Sequence, residues 1–235
     1  MNNQSKLLAA LTSQVGRKLL TGITGVLLVL YVIAHLSGNL SLLSSDTTAF
    51  NRYGAFLHGF GTLFYVIEIS LALVILIHAY IGIAIALRRR KARKEGYKVY
   101  GTKGEPSKQS VSSRTMIITG SILLLFIIIH VAQFRFGPGI AEGYVVDVDG
   151  QQLHDLRRIT YETFENIGWV IFYVGVVVLL GFHLRHGIWS ALQSLGAMRP
   201  AYSPVIYGLA LILAILLAIG FIFLPIWMHL NGGAA

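Results

Sequence analysis

The sequence predicts an all-α integral membrane protein with five spanning helices in a bundle, and three observations predict it. Of its 235 residues, 55% are hydrophobic and only 12% charged, whereas a soluble domain carries about 25% charged residues. Apolar runs of about twenty residues, the length a helix needs to cross a bilayer, recur along the chain. Lys and Arg gather in alternate connections between those runs. The longest polar segment is too short for a soluble domain, so residues 1–235 read as one membrane unit.

The spans follow in order. The start, "MNNQSKLLAALTSQVGRKLL", places Arg17 and Lys18 before an apolar run with no small-residue cleavage pattern, so it reads as a retained first span over residues 19–40 rather than a signal peptide. The second, 63–87, ends at the basic run "RRRKARK". The third covers 116–134 and the fourth 167–189. The fifth, 205–228, opens after Pro204 and closes on Trp227, an aromatic suited to the membrane interface.

Orientation follows from the basic residues. Five spans put the N-terminus, the loop 88–115 and the loop 190–204 on one side. With Arg185 counted as an end residue, that side holds fifteen Lys and Arg against four on the other. Cytoplasmic loops are enriched in Lys and Arg, which predicts a cytoplasmic N-terminus and an outside C-terminus. The net charge of +9 is accounted for by anionic headgroups, and by a docking soluble subunit, beside the basic loop; it calls for no nucleic acid. Cysteine is absent, which excludes disulfides, thiolate-bound iron–sulfur clusters and c-type haem attachment within this chain.

Four of eight histidines lie inside spans, one each on the first four: His35, His78, His130 and His183. Ionisable residues within a membrane are costly and mark function. His35 and His130 stand 17 and 16 residues beyond Lys18 and Arg114, on spans that rise from the same side. On the descending spans His78 lies ten residues before Arg88, and His183 six before Trp189. The four therefore form two pairs at two depths. Paired imidazoles across a bundle suit a haem iron with both axial positions filled by protein. A zinc site would need more ligands, a proton relay would recruit carboxylates, and packed histidines in a haem-free transporter or anchor are the plain alternative.

Around these pairs, Gly22, Gly25, Gly82, Gly120, Gly175 and Gly181 offer room for a macrocycle. Thr21, Thr24, Leu28, Tyr31 and His35 share one face of the first helix, with the Thr21 hydroxyl near the inner pair. His186, one turn after His183, is a rival ligand or a propionate partner. Glu68 and His58 are candidates for a quinone site toward the outside. His154 and His229 read as surface residues.

The segments "HLSGN" at His35, "HAYIGIAIA" at His78, "IIIHVAQFR" at His130 and "GFHLRHGIWS" at His183 resemble the cytochrome b membrane subunit of succinate:quinone oxidoreductases, the succinate dehydrogenase and fumarate reductase family, in its single-chain, five-helix, two-haem form. The resemblance covers four of the five spans. It implies His35 and His130 as axial ligands of an outer, distal haem b, and His78 and His183 as ligands of an inner, proximal one. It further implies a flavoprotein partner with FAD, an iron–sulfur partner, menaquinone or another quinone as substrate, and the inner membrane of a bacterium; oligomers of the whole complex stay open. Succinate chemistry would lie in the partners, not in this chain. The two-haem b subunit of a respiratory hydrogenase or formate dehydrogenase is the runner-up.

Overall fold

The computed structural model describes residues 3–92, 111–199 and 201–232, and these are mostly helical. The part of the expected basic loop at 93–110 lies outside the described residues. Five helices are long and apolar enough to cross a membrane: α2 (Gln14–Asn39), α4 (Thr62–Ala92), α5 (Val111–Phe134), α7 (Ile167–Ser194) and α8 (Ser203–Asn231). Each covers an expected span and overruns it at one end or both, except that α2 stops at Asn39, just short of residue 40. The short α1 (Asn3–Thr12) precedes α2. Ser13 caps α2 by accepting from the Gly16 amide at 3.0 Å. A side chain at Gly16 would collide with the carbonyl of Ala10.

A layer at one end of the bundle departs from the all-helical expectation. It contains α3 (Ala49–His58), a hairpin of β1 (Val145–Val148) with β2 (Gln151–His154), and α6 (Leu156–Glu165). The hairpin pairs Val145 with His154 and Val148 with Gln151 across a two-residue turn. Asp149 and Gly150 both have positive φ, 55° and 78°; Asp-Gly is a favoured pair for a turn whose twist matches the strands. Asn51, 2% exposed, stitches this cap together. It donates to Asp155 at 2.9 Å and accepts from the Arg157 amide at 2.9 Å, while Asp155 caps α6 through the Arg158 amide.

Two expected surface histidines belong to the cap instead. His154 Nε2 meets the Pro138 carbonyl at 3.0 Å and His229 Nδ1 meets the Phe164 carbonyl at 2.9 Å. Both are half-buried, because the connections fold down over the bundle rather than projecting from it.

Packing is uneven. Helix α7 lies against α8, α2 and α5, and its buried Leu184 and Ile188 build a core cluster with Ala210, Ala214 and Leu217 of α8. Helix α4 rests mainly on α2, and Ile81 is the one buried side chain among those described on it. The outward faces of α4 and α8 are apolar, with Leu73, Leu76, Ile212, Leu216 and Ile219 more than half exposed. An exposed apolar belt of this extent suits lipid.

Candidate functional site

Inside the bundle, α2, α4, α5 and α7 stand apart enough to enclose a cavity of about 1340 Å³, above the roughly 300–1,000 Å³ of a single small-molecule pocket. His35, His78, His130, His183, Thr21 and His186 all line it. Each helix delivers its histidine by its own register. Gly25 and Gly120 clear the way: a Cβ on Gly25 would lie 3.5 Å from the His78 ring, and one on Gly120 only 3.2 Å from the His183 ring. A Cβ on Gly82 or Gly187 would meet nothing within 4 Å.

Toward the capped end, His35 of α2 and His130 of α5 face each other, ring centroids 5.8 Å apart and planes nearly perpendicular at 87°. Aromatic rings surround them. Tyr31 stacks on His35 and Phe126 on His130, each at 5.5 Å, and Phe134, Tyr173 and Phe221 complete the wall. His130 Nδ1 lies 3.3 Å from the Tyr173 hydroxyl, which itself donates to Gln133 at 2.6 Å. The tyrosine proton is thereby used, and its oxygen accepts from His130. Among the described residues the polar group beside the His35 ring is the Asn39 amide, 3.4 Å from Nδ1 and more closely bonded to the His35 carbonyl at 2.7 Å.

Nearer the other end, His78 Nδ1 is 3.0 Å from Thr24 Oγ1 and His183 Nδ1 is 3.1 Å from Thr119 Oγ1. Thr21, expected to offer the hydroxyl here, donates it to the Arg17 carbonyl at 2.7 Å; the hydroxyl that meets His78 is that of Thr24, and Thr21 partners the ring through its backbone instead. Polar cavity residues cluster at this end, including Lys18, Ser190, Ser194 and His186. His186 lies 6.0 Å from Trp189 ring to ring.

Arg185 and Trp189 are not at a helix end as expected. Helix α7 continues to Ser194, so both sit within it and half-buried. Arg185 donates to Ser112 at 3.2 Å and to Tyr207 at 3.0 Å, tying α7 to α5 and α8. The two candidates for a quinone site lie outside the cavity lining. Glu68 is bound by both its oxygens to the Arg135 guanidinium, and His58 is exposed beside Phe64.

The donor set is distinctive in its number. Among the described residues no three of His, Cys, Asp and Glu converge on one point, yet imidazoles gather in the cavity. Two nitrogens alone do not complete the shell of a transition metal. Such a site suits a metal that arrives with its other donors already attached. Set against protein-family models, curated proteins and solved structures, the chain matches none.

Proposed function

We propose that this chain is the haem-bearing membrane anchor and electron-transfer subunit of a succinate:quinone oxidoreductase, linking an iron–sulfur partner to membrane quinone. The observation that carries the reading is the cavity: four spanning helices contribute imidazoles to it, α7 both His183 and His186, and those of His35 and His130 face each other at 5.8 Å. The residues fit two b-type haems, which supply one-electron carriers when bound. His35 and His130 would hold one, His78 and His183 the other.

The chain's own part is positional. Aromatic side chains keep water from the capped-end pair, and hydroxyls orient the rings of the other. The apolar belt holds both within lipid. In this reading the N-terminus and the basic connection are cytoplasmic, where a soluble iron–sulfur subunit docks.

The test is purification of the intact complex from membranes in mild detergent. The expected result is a dithionite-reduced b-type α band, two haems per chain, and co-purifying flavoprotein and iron–sulfur subunits. A colourless preparation ends the haem reading. Two haems with a hydrogenase or formate dehydrogenase partner would move the chain to that class.

A further inference from the structure

The capped-end and open-end histidines belong to one pattern used twice. "ITGVLLVLYVIAH" (23–35) on α2 and "ITGSILLLFIIIH" (118–130) on α5 share Ile, Thr, Gly, two Leu, Ile and His at the same offsets. "HAYIGIAIAL" (78–87) on α4 and "HLRHGIWSAL" (183–192) on α7 share His, Gly, Ile, Ala and Leu in the same way. Helices α2 with α4, and α5 with α7, thus form two copies of one two-helix unit.

The contacts repeat with the letters. In each copy the threonine of the first helix meets Nδ1 of the second helix's histidine, at 3.0 and 3.1 Å. The next residue is a glycine beneath that ring, and an aromatic stacks on the first helix's histidine one turn before it. The second-helix glycine, Gly82 or Gly187, opens onto the cavity.

The threonine hydroxyl has one proton, and both copies give it to the backbone. Thr24 donates to the Leu20 carbonyl at 2.7 Å and Thr119 to the Thr115 carbonyl at 3.1 Å. Each Oγ1 is then placed to accept from the imidazole, an arrangement that fits a proton on Nδ1. We propose that Thr24 and Thr119 are a duplicated pair of positioning residues that hold His78 and His183 in the Nδ1–H tautomer, each leaving an unprotonated Nε2 free to ligate. The proposal rests on the haem reading above. It adds that the open-end site is made from equal halves, one from each copy.

The experiment uses the intact complex carrying Thr24→Val or Thr119→Val, with the serine variant at each position, read by haem content and by redox titration of the α band. An Nδ1–H···O bond makes an imidazole more basic, and loss of such an outer partner commonly costs about 10- to 100-fold in affinity. Either valine variant should weaken retention of one haem, the same haem in both, and raise its midpoint potential. The other haem, unmoved, reports that the bundle is folded, and serine restores the wild-type value. The proposal is overturned if the two variants affect different haems, if neither shifts a midpoint, if serine fails to restore, or if both haems are lost together. A wild-type complex without two haems removes the underlying reading as well; two normal haems with unmoved midpoints in the valine variants remove only the threonine role.

Discussion

The two imidazole pairs are fastened differently. At the open end, matching threonines hold His78 and His183 through matching bonds. At the capped end the rings have unlike partners: His130 has the Tyr173 hydroxyl, His35 a glancing amide from Asn39. The second-helix position ten residues before the histidine is Tyr173 in one copy and Glu68 in the other. Glu68 turns to Arg135 instead of to His35. Symmetry therefore survives where the helices pack on one another and fails beneath the cap.

The largest effects should come from the ligands. His35→Ala and His130→Ala are expected to remove the same haem, and His78→Ala and His183→Ala the other, measured as haem per chain with redox titration of what remains. If His186→Ala empties the open-end site while His183→Ala does not, the assignment on α7 is wrong.

Tyr173→Phe probes the asymmetry next. It leaves the partners of a half-buried network, His130 and Gln133, without their hydroxyl, at a cost of about 1–3 kcal/mol. Thermal unfolding should report that loss, with a spectral change confined to the capped-end haem. Asn39→Ala should disturb the same haem less.

The two glycines separate by a few tenths of an ångström. Gly120→Ala puts a Cβ 3.2 Å from the His183 ring, whereas Gly25→Ala makes ordinary contact at 3.5 Å with His78. Alanine is about 1 kcal/mol better than glycine in a helix. Gly25→Ala should thus hold or raise thermal stability, and Gly120→Ala should lower haem retention at the open end.

Acid should loosen the cap before it reaches the bundle. The Tyr144 hydroxyl bond, and after it the Arg158 guanidinium, hold the Glu162 carboxyl below its usual range. A depressed carboxylate pKa gives stability that is present above the unfolded value and lost as pH falls through the folded one. Hydrogen exchange across residues 140–165 should therefore quicken below the normal glutamate range while α7 and α8 stay protected. The smallest expected effect is that of Glu68→Gln. Its ion pair with Arg135 is over a third exposed on both sides, worth about 0–1 kcal/mol, and haem spectra should be unchanged; a fall in quinone turnover would return Glu68 to the reaction.

How much of this was legible in the sequence depends on which force sets each feature. Spans are set by length and apolarity, so all five were readable, and the depth count already grouped His35 with His130. The cap was missed because α3 and α6 are short and half-polar. Its hairpin had a usable signal, the Asp149-Gly150 pair between "VVDV" and "QQLH". Thr24 and Thr21 could not be told apart, since one turn of helix separates them and only the rotation of α2 against α4 decides. Thr119 and Tyr173 depend likewise on inter-helix geometry, although the repeat of "ITG" could have pointed to Thr119.

Helix α4 buries a single described side chain of its own, so little protein fastens it to the rest. A guest gripped by His78 on that helix and by His183 across the cavity would serve as its latch. Synthesis could then leave this side ajar until the pigment arrives, and quality control could recognise an unfilled subunit by the one loose pillar.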